Sequence, residues 1–325
     1  MRLVYYIGID LGGSSVKAGI VTEQGTVVLK DKKPTRSKEG SDTIIRDIAT
    51  LVEELLVASE LDGQEVGGIG VGIPGAASKE GFVYFATNIF WTDIPLGETL
   101  GKMTGKPVFV ANDATMAAVA EYRLGVTQQA ANSVFLTLGT GLGGGIIINH
   151  QVYSGHHGIG TEVGHMTVGH NWDYDCTCGN NGCWETFASG TAMKNHAKKL
   201  LSQKTPSVLK EKTKDDPDHI SIWHLFEGAK EGDEVCLQVV QRMTRYLAVG
   251  IANLINLFDP EIIALGGGIS AASDFFLDEL KLQVSERIYV KKMNLTRIEV
   301  SQLGNDAGII GAAMYARDEE RRNNL

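Results

Sequence analysis

Residues 138–149 read LGTGLGGGIIIN, with five glycines in the first eight positions. So bare a backbone raises the question of what approaches it closely enough to exclude side chains. The stretch satisfies the dinucleotide pattern G-x-G-x-x-G through Gly139, Gly141 and Gly144. That fingerprint must follow a strand and open a helix, because the pyrophosphate rests on the helix amino terminus. Here the glycines run into IIIN, which is β-branched and strand-forming, and no Gly-Lys-Ser/Thr follows to make a P-loop. Two readings remain for a glycine turn between strands. Its N–H groups can form an anion-binding concavity, or the glycines serve a hairpin that needs positive φ.

The order strand, glycine turn, strand occurs once before, in IGIDLGGSSVKAGIV at residues 7–21. This echo points to an internal duplication, and two similar halves facing one another would make a cleft. The turns at Asp10–Ser15 and Leu138–Gly145 would then clasp one polyphosphate from opposite sides. Asp10 fits that role only with a cation, since a carboxylate beside phosphates is repulsive, so Mg²⁺ is expected. A third turn, LGGGIS at residues 265–270, falls between a strand-like and a helix-like run and would cover a nucleoside.

Beyond these turns, apolar strands (VGGIGVGIPG, PVFVAND) alternate with helical patterns (SDTIIRDIATLVEELLVASE, ATMAAVAEYRLG). Ser41 and Asp42 are candidate caps for the first of these helices. At 325 residues the chain exceeds what one core usually serves, so an α/β protein of two domains is expected. A net charge of -9 argues against a nucleic-acid or anionic-membrane surface, both of which need a basic face. The amino terminus lacks the apolar run of a secretory leader, and no stretch nears the ~20 apolar residues of a membrane span. A cytoplasmic protein is the expectation.

Three of the four cysteines crowd together as C-x-C-x4-C (Cys176, Cys178, Cys183), which suits a metal better than disulfides. Tetrahedral zinc takes four ligands, and the EVGH run eleven residues upstream offers His165. Three Cys and one His form a closed, structural set with no open position for water; the alternative is reduced free thiols. Cys236 reads as a small buried apolar residue. The remaining histidines, His196 among them, read as surface or packing residues.

The segments GIDLGGSSVKAGIV, GVGIPG, ATNIFWTDIPL, VANDATMAAVAE, LTLGTGLGGGIII, EVGHMTV, CTCGNNGCWE, ALGGGIS and NDAGIIGAA follow one another from residue 8 to residue 313. In these the chain resembles the ROK family of sugar kinases and sugar-responsive repressors, within the actin-like ATPase fold group that includes hexokinase. The resemblance implies a two-domain actin-like ATPase (ribonuclease H-like) fold with an active-site cleft between the domains. It places an amino-terminal α/β domain at residues 1–116, completed by a carboxy-terminal helix at about 305–325, and a second α/β domain with the zinc loop at 117–304.

The same resemblance implies ATP-dependent phosphorylation of a hexose, with glucose foremost, by a homodimer or dimer of dimers. Asp113 would be the general base that takes the proton of the attacking sugar hydroxyl. Judged locally, Asp113 could instead merely cap the following helix. Asn112, Glu162, His165, Glu185, Gly75 and Asn88 would bind the sugar, with His165 using one ring nitrogen for Zn²⁺ and the other for substrate. Asp10, Gly12, Gly13, Ser14, Thr137, Gly139, Thr140, Gly141, Gly266 and Gly267 would bind ATP. Two positions depart from the family pattern. Ser14 stands for the usual Thr and keeps the hydroxyl; Thr161 stands where Gly is common and bears on which hexose fits.

Other hexoses and N-acetylhexosamines (mannose, fructose, allose, N-acetylmannosamine) are alternative substrates. A sugar-sensing transcription factor is the alternative of another class, but such repressors carry an amino-terminal DNA-binding module. The first phosphate turn here begins at residue 10, which leaves no room for one. A catalytically dead sugar-binding regulator is disfavoured by the presence of Asp10, Asp113 and every glycine turn.

Overall fold

The computed structural model describes residues 4–61, 65–171, 173–291 and 295–323. Three strands open the chain, β1 (Tyr5–Leu11), β2 (Ser15–Thr22) and β3 (Val27–Pro34), paired antiparallel as successive hairpins. Helix α1 (Ser41–Ala58) follows. Its amino-terminal cap is Gly40 at φ 88°, with no side-chain cap bond, so Ser41 and Asp42 do not serve as caps. Strand β4 (Val66–Ile73) then returns parallel to β1. A small three-stranded sheet comes next, of β5 (Ala76–Ala77), β6 (Val83–Ala86) and β7 (Trp91–Ile94). Helix α2 (Leu96–Thr104), strand β8 (Val108–Asn112), parallel to β4, and helix α3 (Asp113–Leu124) complete this run.

The second set repeats the plan with β9 (Ser133–Leu138), β10 (Leu142–Ile148), β11 (Gln151–Tyr153), β12 (Ile262–Gly266) and β13 (Arg297–Val300). Between β11 and β12 lie α4 (Glu185–Ala188), α5 (Gly190–Ser202), α6 (Leu209–Lys212), α7 (Ile222–Lys230) and the 25-residue α8 (Glu234–Phe258). Helix α9 (Leu277–Ser285) separates β12 from β13, and α10 (Ala307–Asn323) ends the chain.

The first sheet runs β3-β2-β1-β4-β8 and the second β11-β10-β9-β12-β13. The order is the same, three strands in sequence followed by two crossover strands, so the echo in the sequence is a duplication of topology. Contacts divide the chain into two compact units: residues 1–135 with 145–161 and 301–325, and residues 136–144 with 162–300. The boundary expected after residue 116 falls inside α3. That helix packs on α10, where Gly311 passes so close that a Cβ would lie 1.7 Å from the Met116 carbonyl oxygen. Glu121, fully buried on α3, accepts hydrogen bonds from the Val126 amide (3.0 Å) and the Ser301 hydroxyl (2.5 Å). The whole of α3 therefore belongs to the first unit.

The core of the first unit is aliphatic, with Ile7, Ile9, Ile20, Ile69, Val71 and Ile73 from the sheet against Ile44, Ile48 and Leu51 of α1. Burying each such side chain contributes about 1.5–3 kcal/mol, which explains why these strands read as unbroken apolar runs. No helix among the described residues is long and apolar enough to cross a membrane.

Candidate active site

In the first unit, the β1–β2 turn is a tight hairpin in which the Gly12 amide donates to the Ser15 carbonyl (3.0 Å). The Thr35 hydroxyl donates to the Gly12 carbonyl (2.7 Å) and the Thr35 amide to that of Ser14 (3.0 Å), fixing the turn from β3. Gly12, Gly13 and Ser14 reach the surface, and none of the turn's glycines has left-handed φ. At Gly13 a Cβ would meet the Asn88 carbonyl oxygen at 3.4 Å, which brings the exposed Asn88 beside this turn. Strand register sets Asp10 opposite Lys17, whose ammonium lies 3.4 Å from the carboxylate. The cation expected near Asp10 thus has a side-chain counterpart that sequence reading missed. The signal was available, since antiparallel pairing across the turn puts residues 10 and 17 on one face.

Strand β8 ends in Asn112, and α3 begins at Asp113. The helix cap is Asn112, not Asp113: its backbone is extended (φ -61°, ψ 145°) and its side-chain oxygen accepts the Ala114 amide at 2.8 Å. Its side-chain nitrogen donates to the Gly75 carbonyl at 3.1 Å, tying two expected sugar contacts together. Asp113 occupies the first helical position and is exposed, with one carboxylate oxygen accepting the Ala114 amide (2.8 Å).

In the second unit, the β9–β10 turn bears on the positive-φ reading of its glycines. Gly139 and Gly141 lack left-handed φ, so the hairpin does not demand glycine at either. A Cβ on Gly139 would meet no described heavy atom within 4 Å, whereas one on Gly141 would lie 2.9 Å from a Glu185 carboxylate oxygen. The turn is held by Gly139 N–H to the Gly141 carbonyl (3.0 Å), and α5 docks on it through Gly190 N–H to the Gly139 carbonyl (2.8 Å). Thr137 is half-buried on β9, and Thr140 is exposed at the tip. Gly266 ends β12, and Gly267 differs from the other turn glycines. Its φ is 84° and a Cβ would lie 2.5 Å from the Leu138 carbonyl oxygen, so its glycine is structural.

The zinc-motif residues converge. Segment 166–168 pairs antiparallel with 182–184 (Val168 N–H to Gly182 O, 3.0 Å; Trp184 N–H to Met166 O, 2.8 Å), which sets His165 near Cys183. Gly164 and Gly182 allow this, since a Cβ on either would lie 1.9 Å from a backbone oxygen. Trp184, fully buried, donates its ring N–H to the Tyr246 carbonyl (2.9 Å) and packs on Gly250 of α8, anchoring the neighbouring Glu185.

His165, Cys176, Cys178 and Cys183 each bring a donor atom within 4.8 Å of the others. Cys178 and Cys183 sulfurs are 3.6 Å apart, and Cys176 Sγ is 3.6 Å from His165 Nδ1. Zn–S bonds of about 2.3 Å put tetrahedral neighbours about 3.8 Å apart, so this donor set fits one zinc ion. Burial pushes the Cys176 and Cys183 thiols up. Burial acts the same way on Cys178, but it is outweighed by hydrogen bonds from the Asn180 backbone and the neighbouring thiols, and the thiol falls to about 7. Glu185 accepts the Cys176 thiol at 3.0 Å and lies 4.0 Å from His165. Glu162 is exposed as a residue, yet desolvation of its carboxylate raises its pKa, with Glu185 adding and His165 opposing. Just before it, Thr161 sits at φ 74°.

The chain thus carries glycine turns after its first strands in each unit, an exposed carboxylate after a parallel strand, and a Cys3His cluster beside two acids. The ROK family model matches residues 6–319. The chain belongs to the ROK family. A glucokinase from Halalkalibacterium halodurans is 35% identical over 319 residues, covering 97% of this chain and 96% of that protein. A crystal structure of a ROK family glucokinase from Streptomyces griseus in complex with glucose and AMPPNP superposes with TM-score 0.80 at 34% identity, covering 97% and 99% of the two chains. A xylose repressor from Caldicellulosiruptor bescii is 31% identical over 314 residues, 96% of this ROK chain but 78% of the repressor.

Proposed function

We propose that this protein transfers the γ-phosphoryl group of ATP to a hexose, glucose foremost, to give hexose 6-phosphate. The observation that carries the reading is an exposed carboxylate, Asp113, placed directly after the parallel strand β8 at the start of α3 and next to Asn112, which caps that helix and ties it to the Gly75 loop. The glucokinase relatives and the glucose–AMPPNP complex support the same reaction.

Asp113 accepts the proton of the attacking hydroxyl as the oxygen bonds to phosphorus, which otherwise would make a poor nucleophile. Asn112 and Gly75 orient the sugar, with Asn88, Glu162, His165 and Glu185 as further hydroxyl contacts. Gly12, Gly13, Ser14, Thr137, Gly139, Thr140 and Gly141 present backbone and hydroxyl groups to the phosphates, while Gly266 and Gly267 border the nucleoside. Asp10 would hold Mg²⁺, which supplies neutralisation of charge on the transferring phosphoryl group. His165, Cys176, Cys178 and Cys183 would hold Zn²⁺, which supplies a fixed orientation and tautomer for the His165 ring. A homodimer or dimer of dimers belongs to the same reading.

The test is ADP release with Mg-ATP across glucose, mannose, fructose, allose, N-acetylglucosamine and N-acetylmannosamine. Turnover greatest with glucose is the expected result. Sugar binding by calorimetry without turnover on any sugar would replace the kinase reading by that of a sugar-sensing regulator, the class of the repressor relative.

A further inference from the structure

The three cysteines of the zinc cluster are not equivalent. Cys178 is exposed, whereas Cys176 and Cys183 are buried. The Cys178 and Cys183 sulfurs lie 3.6 Å apart, while the Cys176 sulfur meets the Glu185 carboxylate at 3.0 Å and His165 Nδ1 at 3.6 Å. The cluster thus divides into a pair of thiols, one of them open to solvent, and a third thiol turned toward two proposed sugar ligands. Cys236, the fourth cysteine, is buried on α8 with its sulfur 4.0 Å from the His224 carbonyl oxygen, and it does not belong to the cluster.

The segment that joins the pair, CGNNGC at residues 178–183, contains two left-handed glycines, Gly179 at φ 89° and Gly182 at φ 86°. Their surroundings differ. A Cβ on Gly182 would lie 1.9 Å from the Gly169 carbonyl oxygen, and the pairing of 166–168 with 182–184 holds Cys183 in place. A Cβ on Gly179 would meet nothing within 4 Å among the described residues, so the Cys178 side of the pair is unobstructed. A disulfide needs its sulfurs at about 2.05 Å. From 3.6 Å, the approach can be made by the exposed Cys178 while Cys183 stays on its ladder.

We propose that Cys178 and Cys183 form an oxidation site, at which hydrogen peroxide joins them as a disulfide and the zinc ion is expelled. The expulsion rests on the zinc reading above, whereas the disulfide requires only the pair. Zinc ligation keeps both sulfurs as thiolates. The exposed Cys178 thiolate attacks a peroxide oxygen; the S–O bond forms, the O–O bond breaks and hydroxide leaves, giving a sulfenic acid. The Cys183 thiolate then attacks the Cys178 sulfur, and the S–S bond forms as the S–O bond breaks and a second hydroxide leaves. Two thiolates lose two electrons, and one peroxide is reduced to two hydroxides. Cys176 and His165 remain as ligands, two where structural zinc takes four. His165 loses the ion that orients it, so oxidation weakens hexose binding, and a dithiol with zinc restores it.

The test adds hydrogen peroxide in molar excess to the reduced full chain, with zinc release followed by a chromogenic chelator and thiols counted by alkylation and mass spectrometry. The expected result is a fall from four alkylated cysteines to two, one zinc ion released per disulfide, and a peptide map that joins Cys178 to Cys183. Glucose affinity by calorimetry falls about tenfold, the size of one lost hydrogen bond, and returns with dithiothreitol and Zn²⁺. Cys236→Ser gives the same disulfide and the same zinc release. A map that joins Cys176 to either neighbour, a disulfide between two chains, or Cys178 carried to sulfinic acid without a disulfide would overturn the proposal. Four free thiols after peroxide would do the same, and undiminished glucose affinity in the mapped disulfide form would overturn the coupling to the sugar site. A reduced chain without zinc would count against the zinc ligand set and not against the pair, which the map reads in either case.

Discussion

The Asn112 side chain bridges the Gly75 carbonyl at 3.1 Å and the Ala114 amide at 2.8 Å, joining the end of β4 to the start of α3. One amide therefore holds together the loop after one parallel strand and the helix after the next. Its neighbour Asp113 shares the Ala114 amide through one carboxylate oxygen (2.8 Å). Asp113→Asn is expected to leave the melting temperature within about 2 °C of wild type while lowering turnover at least ~10²-fold. Asn112→Ala should instead cost about 1 kcal/mol of stability through the lost cap. Calorimetry beside steady-state kinetics separates the two; near-normal turnover in Asp113→Asn would remove it as the base.

Gly139 offers an unusual control. Its φ is not left-handed, and a Cβ there meets nothing within 4 Å among the described residues. Gly139→Ala should fold as well as the wild type, with unchanged thermal denaturation. The KM for ATP should nevertheless rise by an order of magnitude or more, because the methyl group stands where the phosphates would approach. An unchanged KM would mean that no ligand approaches this turn.

Cys178 is the exposed thiol of the cluster and a proposed zinc ligand. Cys178→Ser is expected to cut zinc content measured by plasma emission from about one ion per chain to near zero. Hexose affinity should fall more than ATP affinity, because His165 loses the ion that orients it. Equal zinc in variant and wild type would contradict the ligand set.

Thr161, at φ 74°, is a β-branched residue in a backbone region that costs such side chains roughly 1–2 kcal/mol. It immediately precedes Glu162. Thr161→Gly relieves the strain but adds disorder to the unfolded chain, for a net gain of up to about 1 kcal/mol. A small rise in melting temperature is expected, accompanied by a change in the ratio of kcat/KM among hexoses. Altered stability with identical hexose ratios would confine Thr161 to a structural role.

Much of this molecule was legible in its sequence because the signals were local. The glycine turns, the β-branched run after Gly145 and the C-x-C-x4-C spacing each encode a backbone constraint within a dozen residues. Register, too, is local: the β1–β2 hairpin alone fixes Asp10 opposite Lys17. Repetition of the strand–turn–strand pattern pointed to an internal duplication, and the two five-stranded sheets indeed share one strand order.

Tertiary structure decided what depends on distant neighbours. Only the surroundings separate the turn glycines: Gly267 takes left-handed φ against the Leu138 backbone, while a Cβ on Gly139 would meet no described atom within 4 Å. Sequence likewise offered Asp113 as the helix cap, and tertiary structure set Asn112 there instead, held by the Gly75 loop 37 residues away. Which unit α3 joins was fixed by α10, from the far end of the chain, through a glycine approach no local pattern announces. Among the described residues, the His196 Nδ1 is left without a hydrogen-bond partner only because packing has excluded every other one.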